Sequence, residues 1–391
     1  MKYDFDTPVN RFGTGSVKWD VKEGELPMWV ADMDFRTAPE ILASLEKRVK
    51  HGIFGYTDVE NDWYEAYINH WKTRHGFTMQ KGWLMFCTGV IPAISSTVRK
   101  LTTPNENVII QPPVYNIFVN CTVNNGCRVL ENPLVYENGR YRMDFDDLER
   151  KMSEPQTTLM ILCNPHNPAG RIWSAEELAT VGRLAKKHGV TVISDEIHCD
   201  ITGPGKDYVP FASVSGDCRE VSVTCMAPTK AFNLAGLQTA AVSVPDPFLR
   251  NRVRRAINTD EVAEPNAFAC PAAVAAFKEG GLWLDEMREY VSENRRLFTD
   301  CIEKGLAGVR AVRSEATYLL WVDVSGITDD SRGFCRFLRA ETGLFVTPGA
   351  TYGTGGEGFV RINVACPRSY VRDGAERFVK GTEKYLKEKR V

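Results

Sequence analysis

Between residue 84 and about residue 244 the chain alternates short apolar runs with helical ones, and this alternation limits its fold more than any other feature. The runs 84–87, 107–111, 128–130, 158–163, 190–194 and 221–224 are rich in aliphatic and β-branched residues, as buried strands are. Helical stretches lie between them: one running to Lys100, one over 115–124, and one ending at His188. The last is opened by Ser174-Ala175-Glu176-Glu177, a capping box in which a serine and a glutamate three residues later satisfy each other's backbone N–H. Strands that alternate with helices predict an α/β fold with a mostly parallel sheet covered on both faces. A further apolar run, 238–244, reads as the next strand.

Outside this block the pattern differs. The first 37 residues are irregular, followed by predicted helices over 39–50 and 59–75. Beyond residue 246, helices are expected at 266–278, 282–304, 331–341 and 367–387, and strands at 317–324, 345–347 and 358–364. With 391 residues, two domains are expected: a large one over 51–282 and a smaller α+β one built from both ends, 1–50 and 283–391. A net charge of −2 gives no reason to expect nucleic acid or an anionic membrane as partner. No run of eighteen apolar residues predicts a membrane span, and the polar, acidic start is unlike a signal peptide. Eleven scattered cysteines without a Cys-x-x-Cys pair suit the reduced thiols of a cytoplasmic protein. The six histidines show no ligand spacing, so no metal is expected.

Candidate chemistry centres on Lys230, in the turn Ala227-Pro228-Thr229-Lys230-Ala231-Phe232-Asn233-Leu234-Ala235-Gly236 between two of the predicted strands. Most lysines in turns lie at the surface, but a desolvated one becomes a useful nucleophile or base. Asp195 ends the strand at 190–194, where α/β proteins place ligands, although an aspartate there also serves as a helix cap. Asn164-Pro165-His166-Asn167-Pro168-Ala169-Gly170 specifies a rigid turn, which leaves the second amide, Asn167, without an explanation. Gly89-Val90-Ile91 opens a helix whose free N–H groups suit an anion. Tyr115 follows Pro112-Pro113-Val114, and Arg361 lies inside an apolar strand, where it needs a partner.

Thr229-Lys230-Ala231-Phe232-Asn233-Leu234-Ala235-Gly236 resembles the Schiff-base lysine segment of fold-type-I pyridoxal 5'-phosphate (PLP) enzymes, the aminotransferase class I/II superfamily. The order Tyr56, Gly89, Tyr115, Asn167, Asp195, Lys230, Arg361 matches that superfamily from end to end. The resemblance implies the aminotransferase-like fold and a role for each residue. Lys230 would carry the cofactor, Asp195 would face the pyridine nitrogen, and Asn167 would bond the ring hydroxylate. Tyr115 would stack on the ring, while Gly89, Val90, Ile91 and Thr229 would hold the phosphate. Tyr56 would reach the phosphate of a neighbouring subunit, making a homodimer with shared active sites. Arg361 would bind the substrate α-carboxylate. His198 stands where many aminotransferases have a tyrosine that bonds the ring oxygen.

Trp29-Val30-Ala31-Asp32-Met33-Asp34-Phe35, Asp195-Glu196-Ile197-His198 and the stretch from Gly358 to Arg368 are similar to the cystathionine β-lyase, or C–S lyase, branch of MalY/PatB type. Ala227 replaces a frequent phosphate-binding serine and Gln238 the usual phosphate-binding arginine. The branch implies α,β-elimination from L-cystathionine, L-cysteine or cysteine S-conjugates, giving pyruvate, ammonia and a thiol. Lys230 would remove the Cα proton, and Tyr56, Tyr115 or Lys230 could protonate the leaving thiolate. An aminotransferase is the alternative, and a regulatory protein that retains the site is a third reading.

Overall fold

The computed structural model describes residues 1–389. Its centre is a seven-stranded sheet of β1 (Leu84–Cys87), β2 (Asn107–Ile110), β3 (Arg128–Glu131), β4 (Thr157–Cys163), β5 (Thr191–Asp195), β6 (Ser222–Met226) and β7 (Ala240–Ser243). Their spatial order is β1-β7-β6-β5-β4-β2-β3. β3, β2, β4, β5 and β6 are mutually parallel, whereas β7 runs antiparallel to both β6 and β1. Six strands therefore share one direction. Their carboxyl ends form a single edge, to which the turns after β1, β2, β4, β5 and β6 all deliver their residues.

Strand alternation explains why both faces are buried. Val108, Ile110, Leu159, Ile161 and Ile193 pack into one apolar core, with Val90, Ile94 and Val98 of the helix Val90–Leu101. Ile109, Met160, Leu162 and Val192 point the other way, onto Leu178, Val181 and Leu184 of the helix Ala175–His188. Side chains two apart share a face, so a strand covered on both sides reads as continuously apolar. The Ser174 capping box is present: Ser174 Oγ accepts from Glu177 N at 3.2 Å, and Glu177 Oε2 accepts from Ser174 N at 2.7 Å.

Towards the carboxyl end, a second sheet has the order Arg310–Ala311, Leu319–Asp323, Phe359–Asn363, Thr347–Pro348. The helices Gly281–Gly305 and Arg368–Glu388 pack against each other beside it. The expected strand at 345–347 is two short pieces. One of them, Leu344–Phe345, pairs in parallel with Leu26–Pro27, tying the start of the chain to its last third. Elements outside the sequence expectations include the helices Phe145–Met152, Gly216–Val221 and Pro247–Thr259, the hairpin Val135–Glu137 with Arg140–Arg142, and the short strands Leu26–Pro27 and Arg310–Ala311.

Candidate active site

The turn from Asn164 to Gly170 leaves β4 and docks against the segment 314–316. Gly170 has φ +63°, and a Cβ there would lie 2.6 Å from the carbonyl oxygen of Ala316, so only glycine fits. Glu315 N and Ala316 N both donate to Gly170 O, at 2.7 and 2.9 Å. The turn so anchored presents Asn167, which is buried, towards Arg361. Arg361 Nη1 donates to Asn167 Oδ1 at 3.2 Å, and Nη2 to the Trp29 carbonyl at 2.8 Å. Arginine only donates, so it fixes the orientation of this amide and leaves Nδ2 of Asn167 free to donate elsewhere. The guanidinium also lies 5.0 Å from the centre of the Tyr352 ring.

Asp195 closes β5 and is buried. Its Oδ1 accepts from Ile197 N at 3.1 Å, and no ion pair holds it among the described residues. Desolvation pushes its carboxyl up to about 7, against the backbone bond and the pull of Lys230. His198, three residues on, is held neutral: burial and then the charges of Lys230 and Arg361 push it down to about 3. Its Nδ1 is buried without a partner, as are Arg361 Nε, Thr224 Oγ1 and Asn164 Oδ1. Buried polar atoms are normally satisfied. Two of these, His198 Nδ1 and Asn164 Oδ1, lie just beyond the carboxyl ends of β5 and β4, as a place shaped for a polar ligand would have them.

Lys230 follows β6. The residue keeps some exposed surface towards the cleft, but its amine lies deep enough for desolvation to dominate. Burial, helped by Arg361, lowers its pKa to about 8 against the opposing pull of Asp32 and Asp195. Among the described residues it has no carboxylate within ion-pair range, and Nζ donates instead to the Ala31 carbonyl at 2.6 Å. The turn is locked from its far side by Asn233, whose Oδ1 accepts from Met33 N at 3.0 Å and whose Nδ2 donates to the Met33 and Phe35 carbonyls, each at 3.0 Å.

Tyr115 is partly buried after β2, and its hydroxyl is raised by desolvation, with Arg361 and Asp195 near enough to act on it. Gly89 precedes the helix Val90–Leu101 in extended backbone, and no side chain caps the helix. Val90 and Ile91 thus carry first-turn N–H groups, which no helix pairs internally, at the end of β1. Thr229 is buried beside Lys230. Tyr56 stands apart: fully exposed, it is not brought to this cleft by its own chain.

The stretch 29–35 stands out in the sequence, but the bonds that strap it across the site do not. The carbonyls of 29–33 accept from Arg361, from Asn363 Nδ2 (Val30 and Asp32, each 2.6 Å), and from Lys230 together with Tyr318 Oη (Ala31; 2.9 Å from the phenol). Asn363 could have been found, because it lies two residues beyond Arg361 and so on the same face of one strand. Tyr318 carries no such signal.

Fold and site together define an α/β protein with an unpaired lysine amine at the carboxyl edge of a parallel sheet. The sequence profile of the aminotransferase class I and II family matches residues 28–378, and the chain belongs to that family. It is 42% identical over 381 residues to cystathionine β-lyase PatB of Bacillus subtilis, covering 96% of this chain and 98% of that one. Among solved structures it is similar to cystalysin of Treponema denticola, which contains PLP (TM-score 0.95, 31% identity, 98% of this chain and 100% of that one). It is also similar to the PLP-bound C–S lyase of Staphylococcus hominis (TM-score 0.92, 33% identity, 97% and 98%).

Proposed function

We propose that this protein is a PLP-dependent carbon–sulfur β-lyase that converts L-cystathionine, L-cysteine or cysteine S-conjugates to pyruvate, ammonia and a thiol. The observation that carries the reading is the Lys230 amine: deep in the cleft, lowered to about 8, and free of any carboxylate partner among the described residues. The donor set fits PLP. Lys230 is an amine for its aldehyde, Asp195 an acid for the pyridine nitrogen, and Asn167 Nδ2 a donor for the ring oxygen. The N–H groups of Val90 and Ile91, with Thr229, suit its phosphate. Bound there, PLP supplies the electron sink for the pair left at the substrate Cα.

The chain's own residues do the rest. Arg361 has N–H groups to spare beyond Asn167 and Trp29, enough to fork onto the substrate α-carboxylate. Lys230 Nζ, neutral above about pH 8, takes the proton from Cα. Asp195 holds a proton at the pyridine nitrogen, and His198, kept neutral, adds no second positive charge beside it. Tyr115 covers the ring. A thiolate leaves Cβ with less need of a proton than an alkoxide would have.

The exposed stretch Ile53, Phe54 and Tyr56 supports a homodimer in which Tyr56 completes the site of the neighbouring subunit. We further place residues 51–282 in a large domain and residues 1–50 with 283–391 in a smaller one. All eleven cysteines are free, ten of them buried, which supports a cytoplasmic setting. No helix among the described residues is long and apolar enough to cross a membrane.

The test is to incubate holoenzyme with L-cystathionine and no keto acid. Pyruvate and thiol released in equal amounts are expected. Product that appears only with an added keto acid, with no thiol, would establish the aminotransferase instead.

A further inference from the structure

Away from the cleft, His70 and His75, at the end of the helix Asn61–His75, meet Asp200 in the loop after β5. His70 Nε2 lies 2.8 Å from Asp200 Oδ1, and His75 Nε2 lies 3.0 Å from the same oxygen. One ligand atom from each residue falls within 4.8 Å of the others. His70 and Asp200 are each 4% exposed. The second oxygen, Asp200 Oδ2, is buried and has no partner at all. A carboxylate enclosed for structure alone is normally satisfied at both oxygens. Here two imidazoles converge on one oxygen and the other is bare.

We propose that His70, His75 and Asp200 form a structural site for a divalent transition-metal ion of the Zn2+ class. Two imidazole nitrogens and one carboxylate oxygen make a borderline donor set, suited to such ions. Ca2+ and Mg2+ prefer more oxygens. Each imidazole would bind the ion in its neutral form, through an Nε2 that carries no proton, with the ring N–H on Nδ1. A cavity of about 70 Å³, lined in part by His75, Cys199, Asp200 and Tyr208, has room for water as the fourth ligand. The cations at its rim are engaged elsewhere. Arg74 pairs with Asp285 at 2.8 Å, Arg288 lies 3.4 Å from the same carboxylate, and Lys206 lies 3.9 Å from Glu315. The ion would pin the end of the helix Asn61–His75 to the loop that follows Asp195 and carries His198. The five-residue step between the histidines, with the aspartate 125 residues beyond the second, explains why sequence spacing points to no metal.

The test is to dialyse holoenzyme against Zn2+ under a weak chelator and count metal per chain, for the wild type and for His75→Gln. One Zn2+ per chain in the wild type, lost in the variant, with a rise in melting temperature confined to the wild type, is expected. No retained Zn2+, or equal retention by both proteins, as binding to cysteine thiols would give, overturns the proposal. If His75→Gln does not fold, Co2+ bound to wild-type holoenzyme decides. Weak visible d–d bands without thiolate charge transfer support the site. Thiolate charge transfer, or no bands, contradicts it.

Discussion

Lys18 and Lys230 both sit deep in this protein, in opposite company. Lys18 is wholly enclosed and donates to Asp34 Oδ2 at 2.6 Å and to the Asp32 carbonyl at 3.2 Å. Asp34 in turn accepts from Arg11 Nη1 at 2.7 Å and from the indole of Trp19 at 2.8 Å, and Asp32 pairs with Arg11 at 2.8 Å. Every charge there faces an opposite one. Lys230 has only a carbonyl, and its nearest guanidinium repels it. A buried charge that is fully paired holds structure, and breaking the pair is costly. A buried amine left unpaired gives up its proton readily and is available for chemistry. The two regions are joined, since the strap at 29–33 lies between them: Lys18 grips its Asp32 carbonyl and Lys230 its Ala31 carbonyl.

The comparison breaks first at Lys230. Replacing it with alanine should lower turnover by about 10⁴-fold or more, as loss of the group that moves the Cα proton would. Thermal unfolding should stay near that of the wild type, because no ion pair is lost. A variant with substantial residual lyase activity would remove Lys230 from the chemistry.

Lys18→Met should do the reverse. It leaves Asp34 short of one partner in a sealed site, which costs about 3 kcal/mol of stability on the scale of broken buried pairs. Urea unfolding reads that loss, and turnover of the folded variant should stay close to wild type. Unchanged stability with lost activity would show that the paired cluster serves chemistry after all.

The smallest effect sharpens the difference. Lys230 loses its proton near pH 8, below the ordinary lysine value, and only the neutral amine attacks an aldehyde. The rate at which cofactor-free protein takes up PLP should rise by about tenfold per pH unit below that value and level off above it. A rise that continued to pH 10 would mean an ordinary, solvated lysine.

Much of this was legible in the residues. The parallel sheet followed from apolar runs separated by helices, and its carboxyl edge collects Asn167, Asp195 and Lys230 because each follows a strand of the same direction. The direction of β7 was not legible, since the connection from Ala227 to Thr239 is long enough for a crossover as well as for a reversal, and an apolar run does not state its own orientation. The stretch 29–35 stood out in the sequence, but the bonds that make it a strap were not legible either. Its partners bond to main-chain carbonyls, which every residue has, so no side-chain pattern at 29–33 marks them. Tyr56 shows the remaining limit: it is fully exposed on its own chain.

The most direct test of the account is to reduce the PLP-loaded protein with borohydride, digest it and locate the pyridoxyl group by mass spectrometry. The label is expected on Lys230 alone. A label on Lys18 or any other lysine, or no labelled lysine in active protein, would contradict it.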